Sequence, residues 1–445
     1  MWNPEGTPSE DCLNINIWTP AALKENPLSD GLPALVWIFG GGFYSGSNSL
    51  ALYNGSTLAA ETNVVVVGIN YRVGPFGFLY LGKEAPGNLG LLDQQLALQW
   101  IKKYIKYFGG NPDKVTIFGE SAGSASVAAH LLSPGSRNLF HSAIMQSGTM
   151  TNVWATATPE LQKNRSILFA KQFNCKTTTS AEVMQHTYRV TKDEGSFWLP
   201  FYASPFMNEN YSIYDIIDDS KKNQSLLTEL DYNQATQEIF QNQRHLGCEE
   251  IKEIKRYYSN LQFVEKTKKG AEYRDGISAA LGDYFFTCDV VETATIFQNF
   301  NIPVYFYHFT HRSPANPWPL WMGVMHGYEI EYVFGAPKSH PYKYEHSKEE
   351  LQFSEKIMLF WGNMAKYGTP DPQKVFGSWT VKSPQNLGFG SDSKYKLRKT
   401  CDKFWKNLKL KYDKRILNAY EEIQSYRTDA KNHETHKLSY CKPVD

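Results

Sequence analysis

One stretch constrains this chain more than any other. The short run Lys114 to Phe118 (KVTIF) passes without a break into Gly119-Glu120-Ser121-Ala122-Gly123, and from there into the small-residue run Ala122 to Leu132. A β-branched run, a serine between two glycines and a helix-forming run read together as strand, sharp turn and helix. The glycines let the turn tighten and leave space beside the serine. In that setting Ser121 projects over the carboxyl edge of a sheet, where open α/β sheets carry their sites.

Two further runs extend the sheet. Ala34 to Phe39 (ALVWIF) ends in Gly40-Gly41-Gly42, and Val64 to Ile69 (VVVVGI) ends at Asn70-Tyr71-Arg72. Runs apolar on both faces suit buried strands of a largely parallel sheet. Between the last two strands the spacing predicts a helix near Leu91 to Phe108, with Leu92, Leu96, Trp100, Tyr104 and Phe108 as its apolar stripe. The run Gly109-Gly110-Asn111-Pro112 ends it. The expected class is α/β, a mostly parallel central sheet flanked by helices.

The later pattern is looser. Residues 205–275 are polar and helix-like, Ile302 to Phe309 reads as a strand, and Leu351 to Tyr367 reads as an amphipathic helix stopped by Gly368 and Pro370. From about residue 402 the chain turns basic and aromatic. Leu408, Tyr412, Ile416, Tyr420 and Ile423 form a stripe that suits either a helix packed on the body or a partner-binding helix with Cys441 as an intermolecular bridge.

Composition narrows the function. The 46 basic and 45 acidic side chains leave a net charge of +1, which argues against a nucleic-acid or polybasic membrane protein. The longest apolar runs, such as Val64 to Ile69, are too short to span a bilayer. Six cysteines without a C-x-x-C spacing argue against a zinc or thioredoxin-like site, and no metal or cofactor is expected. Whether they are disulfides or buried thiols stays open at this level. Asn-x-Ser sequons at Asn54, Asn164, Asn210 and Asn223 hint at a secretory life, although the N-terminus carries no apolar signal region.

An ester hydrolase needs oxyanion donors as well as a nucleophile. The N–H of Ala122 follows the serine at a helix N-terminus, where the dipole favours negative charge. Gly41 and Gly42, in the glycine run after a strand, offer a second supply, because glycine lets the backbone approach a developing anion closely.

Four motifs, taken in order, resemble type-B carboxylesterases and their cholinesterase branch most of all. They are Ser9-Glu10-Asp11-Cys12-Leu13-Asn14, the glycine run continuing to Gly46, FGESAG at 118–123 and WMGVMHGYEIEYVFG at 321–335. The resemblance reaches to about residue 405. It implies an α/β-hydrolase whose triad runs serine, acid, histidine. The acid would be Glu194, in Lys192-Asp193-Glu194-Gly195, and the histidine His326. By composition alone His130, His141, His308 and His311 have equal claim.

The resemblance also implies a site that binds a quaternary ammonium on aromatic faces. Trp2 would stack on the choline, with Glu120, Phe197 and Tyr328 beside it. Tyr44 would line the gorge, Trp318 and Trp321 would lie near the catalytic loop, and Trp154 would line the acyl side. Cys288 and Cys401 match a family disulfide. The implied function is a serine esterase cleaving choline esters such as acetylcholine through an acyl-serine intermediate, in an extracellular, synaptic setting. A broad-specificity carboxylesterase, a neuroligin-like adhesion protein and a catalytically weakened short variant are the alternatives. The expected organisation is a hydrolase domain over 1–401 and a helical tail over 402–445, a possible homodimer contact.

The chain departs from the family twice. It begins just before Trp2, so the family's N-terminal region, with the usual partner of Cys12, is expected to be missing. Only about seventy positions separate Ser121 from Glu194, and MQHTYR meets VTKDEG abruptly at residues 184–195. The strand that delivers the acid and the residues that size the acyl pocket are expected to be missing there. Cys175 is expected to lose its partner, since His186-Thr187 stands near the matching position.

Overall fold

The computed structural model describes residues 9–20, 30–172, 229–237, 240, 246–259, 271–317, 322–340, 347–377, 379–380, 385–387 and 400–408. It divides into two compact units. The first holds residues 1–207 and 293–393, the second 208–292 and 394–445.

The first unit is built on five strands, β1 (Ile15–Trp18), β2 (Leu32–Ile38), β3 (Val65–Ile69), β4 (Gly110–Glu120) and β5 (Ser142–Gln146). Their order across the sheet is β1-β3-β2-β4-β5. The first strand is antiparallel to β3, and the other pairs are parallel. This is the expected architecture. Val36 lies between Val67 on one side and Ile117 on the other, so the register centres the apolar runs. All three are completely buried, as are Ala34, Leu35, Val65 and Val66. Burying each large aliphatic side chain is worth roughly 1.5–3 kcal/mol.

Helices connect the strands. They are α1 (Ser56–Thr62), α2 (Gly74–Phe78), α3 (Leu89–Tyr104), α4 (Ala122–Leu132) and α5 (Pro159–Gln172). A two-stranded pair, β6 (Tyr307–Phe309) with β7 (Gln385–Leu387), is parallel, and β6 uses only the end of the predicted strand Ile302–Phe309. The long helix Lys348–Tyr367 begins where the Ser347 hydroxyl accepts the Glu350 N–H and ends at Gly368 in the left-handed region. That matches the predicted stop.

The stripe predicted on α3 turns inward only in part: Trp100 packs against the core and Tyr104 is half-buried. Leu92 and Leu96 are 52% and 61% exposed, and Phe108 is also exposed. The buried face carries Gly90, Asp93, Gln94, Leu98 and Ile101. Its polar members are acceptable inside because each has a partner. Asp93 takes two hydrogen bonds from the Arg72 guanidinium at 2.7 Å, and Gln94 bonds Ser126 and His130.

The second unit is helical where described, with Glu229–Gln237, Cys248–Ser259 and Ala271–Gly282. A disulfide joins Cys288 to Cys401, as the family pattern implied. Beside it the Trp405 indole donates to the Tyr258 hydroxyl at 2.6 Å, and that hydroxyl donates to Asp283. Cys248 is also disulfide-bonded, while Cys12 is a free thiol. Cys175, Cys441 and the stripe beyond Leu408 lie outside the described residues. Among the described residues no helix is long and apolar enough to cross a membrane.

Candidate active site

Strand β4 ends at Glu120 and α4 begins at Ala122, so a single residue, Ser121, makes the whole turn. Its backbone adopts φ 57° and ψ −120°, a conformation that a non-glycine residue holds only under constraint. The constraints are visible. The Ser121 N–H donates to the Gln146 carbonyl at 2.9 Å, and the Ala125 N–H donates to the Ser121 carbonyl at 2.9 Å. Gly123 lies against the Ile38 carbonyl, where any side chain would collide. The strained turn is therefore fixed by β5 on one side and β2 on the other.

The Ser121 hydroxyl is buried and has no hydrogen-bond partner. An unsatisfied buried hydroxyl costs free energy, so its retention here points to function. The glycine run closes over it. A side chain added at Gly40 would come within 2.5 Å of the Glu120 carbonyl, 2.9 Å of Glu120 Oε2 and 3.1 Å of Ser121 Cβ. Gly41 and Gly42 follow with φ 118° and 61°. Glycine is thus required twice over, once for space and once for conformation. Ala122 is fully buried at the first turn of α4.

The imidazole comes from the loop before the short helix Ile330–Val333. That helix is anchored in the core by Ile330, Val333 and the adjoining Phe334, whose ring meets Trp37 edge-on at 5.2 Å. The anchoring brings His326 to the turn, with Nε2 2.9 Å from Glu120 Oε1. The contact has ion-pair distance. Desolvation opposes charging of the ring, yet the Glu120 charge and a second carboxylate, Glu329, prevail and raise its pKa above the usual histidine value. Desolvation is the largest single influence on the ring, and the contributions of the two carboxylates together outweigh it.

The other histidines are engaged elsewhere. His130 bonds Ser136 and Gln94, and burial pulls its pKa down to about 4. His141 bonds the Val115 carbonyl. His311 bonds Glu350, which also accepts the Tyr332 hydroxyl, each at 2.6 Å. Burial lowers the pKa of His308.

Three residues of this region were not singled out from sequence. Glu329 is buried and accepts the Gln146 side-chain amide at 3.1 Å, and the Gln146 oxygen accepts the Trp361 indole at 3.1 Å. Burial first, and the Glu120 charge second, push the Glu329 pKa up to about 7. Glu329 lies three positions after His326, a helix-turn spacing that was the available signal. Nothing local marks Gln146 or Trp361.

The structure divides the remaining expected residues. Tyr44 is half-buried in a turn in which its N–H donates to the Gly41 carbonyl. Tyr328 is half-buried, with its hydroxyl 3.5 Å from Asn316 Oδ1. Trp154 is fully buried, its ring 6.5 Å from that of Phe43. Trp2, Glu194, Phe197, Trp318 and Trp321 lie outside the described residues.

Comparison with known proteins places the chain in context. The sequence profile of the carboxylesterase family matches residues 2–194 and 190–405. The two matched segments meet at 190–194, where the family pattern is interrupted. The chain is 38% identical to acetylcholinesterase 4 of Caenorhabditis briggsae, over 96% of this chain and 81% of the relative. It is 37% identical to the acetylcholinesterase of Bungarus fasciatus, over 95% and 75% respectively. It is 38% identical to the cholinesterase of Mus musculus, over 83% and 66%. The nematode alignment extends over 495 residues, more than the 445 of this chain, so the relative holds residues with no counterpart here.

Proposed function

The chain belongs to the carboxylesterase family, and from that premise we propose that it is a serine esterase that cleaves choline esters through an acyl-serine intermediate. The observation that carries the reading is the strained Ser121 turn, with a buried, unpartnered hydroxyl beside the His326–Glu120 pair.

In this mechanism Ser121 Oγ attacks the ester carbonyl while His326 takes its proton. The carbonyl electrons move onto oxygen, where the N–H groups of Gly41, Gly42 and Ala122 receive them; each such donor is worth ~10²–10³ in rate. As the carbonyl re-forms, the bond to the leaving alcohol breaks and His326 returns the proton to that oxygen. Water repeats the sequence on the acyl-serine and frees the acid. Glu194 is the proposed orienting acid. The cation would lie on Trp2, with Phe197, Tyr328, Tyr44 and Trp318 around it and Trp154 towards the acyl group.

Acetylthiocholine turnover tests the reading. Ser121→Ala should abolish it, by at least about 10⁴-fold, and unchanged turnover refutes the assignment. A broad carboxylesterase would show equal rates with a choline ester and its neutral isostere. Trp2→Ala should erase a preference for the choline ester if the cation site is real. The same reading places the protein outside the cell and pairs copies through the C-terminal segment and Cys441. An unshifted monomer band on a non-reducing gel contradicts the covalent dimer.

A further inference from the structure

The glycine run does not end freely after Gly42. Phe43 follows with φ 67°, in the left-handed region, where a bulky residue stays only if its surroundings hold it. Contacts with α2 do so. The Gly74 N–H, at the start of that helix, donates to the Phe43 carbonyl at 2.7 Å, and the Phe43 ring meets the Phe78 ring edge-on at 5.0 Å. In turn α2 is pressed on α3. Gly77 and Gly90 both lie against the Arg72 carbonyl, and the Arg72 guanidinium is paired with Asp93.

The hold passes through successive peptide planes. In a trans peptide the C=O and the N–H point in opposite directions. The peptide from Phe43 to Tyr44 is fixed at both ends, its C=O by the Gly74 N–H and its N–H by the Gly41 carbonyl at 3.1 Å. The Ser45 N–H donates to the same carbonyl at 3.0 Å. These bonds fix the peptide from Gly41 to Gly42, so the Gly42 N–H is turned away from them. Among the described residues no group accepts from the Gly41 or Gly42 N–H. Open backbone donors, next to the glycine that abuts Ser121, suit an oxygen that the protein itself does not supply.

We propose that Phe43 is a positioning residue for the oxyanion hole: docked on α2 by carbonyl and ring, it fixes the Gly41–Gly42 peptide and so the direction of the Gly42 N–H. The inference rests on the esterase reading above. Glycines alone leave their peptides free to turn, and the docked ring supplies the restraint that they lack. A donor aimed before the substrate arrives needs no reorganisation as charge develops. The rival role for the ring is a wall of the acyl pocket, because it also lies 6.5 Å from the Trp154 ring. The first role acts on the transition state of every ester, the second on the size of the acyl group.

The test is a double-variant cycle of Phe43→Ala and Phe78→Ala with acetylthiocholine and butyrylthiocholine. Phe43→Ala should lower kcat by about 10–100-fold for both esters, with KM unchanged. The affinity of a trifluoromethyl ketone, whose serine adduct places an oxyanion in the hole, should fall by the same factor. Phe78→Ala should repeat the loss in smaller measure, and the double variant should lose no more than Phe43→Ala. Losses that multiply, or a preference shifted towards the longer acyl chain, overturn the proposal. Should Phe43→Ala not fold, Phe43→Leu keeps the bulk and should show the same signs at smaller size. Hydrogen exchange separates this from failure of the esterase reading. The Tyr44 and Ser45 amides, protected by the Gly41 carbonyl, should exchange faster in the folded variant even if the wild type hydrolyses neither ester. Unchanged exchange refutes the positioning role.

Discussion

Two residues decide how tightly the site is built. Gly40 has no room for a methyl group, because the nearest atom is a backbone carbonyl, that of Glu120, which cannot turn away. Gly40→Ala should therefore displace the end of β4 and cost ~10² in kcat through misplacement of the serine, with the fold intact by circular dichroism. Wild-type rates would show that the turn has slack. Glu329 makes the second case. Its folded pKa of about 7 lies above the ordinary value of 4.5, so the folded protein binds the extra proton between those limits. Stability then falls as pH rises from about 4.5 to 7, and the penalty is complete above that window. Glu329→Gln removes the charge, so its melting temperature relative to wild type should be higher at pH 8 than at pH 4.5. An equal offset at both values contradicts the account. Of these residues the sequence marks Ser121 by its turn alone, because strand, glycines and helix are local features. It marks His326 only through the family motif, since nothing local separates it from His130 or His311. Glu329 escapes because its burial depends on Gln146 and Trp361, brought from 183 and 32 positions away.

At the scale of elements, β2, β3 and β4 were the most legible parts, whereas the half-buried edge strands β1 and β5 were not read from the sequence. The continuous apolar runs of the first three admit only a doubly covered sheet. The helix α3 was legible in place and not in orientation. Periodicity identifies an apolar face, but α3 has two, and the sheet takes Leu98 and Ile101 rather than Leu92 and Leu96. Partners for Asp93 and Gln94 tip the choice, and those partners come from other segments. Leu98→Ala should accordingly cost ~2–5 kcal/mol, while Leu96→Lys should stay within about 0.5 kcal/mol. Chemical denaturation measures both, and equal losses would mean that the exposed stripe is covered in the folded protein.

At the scale of the molecule, the first unit carries the sheet and the Ser121 turn, and the second is tied by Cys288–Cys401 across 113 positions. Closing so long a loop restricts the unfolded chain, and a Cys288→Ser, Cys401→Ser pair should lose about 2–5 kcal/mol. A melting temperature unchanged from wild type contradicts a stabilising bond. This pair was legible through the family motif, whereas the interruption at 190–194 leaves the acid's placement unspecified by local pattern. The central claim is that Ser121 is an activated nucleophile. Its most direct measurement is peptide mass mapping after exposure of the folded protein to an organophosphate. The account predicts one phosphoryl adduct per chain, on Ser121, lost in Ser121→Ala and slowed by excess choline ester. An unmodified Ser121, or an adduct undiminished in the variant, contradicts it.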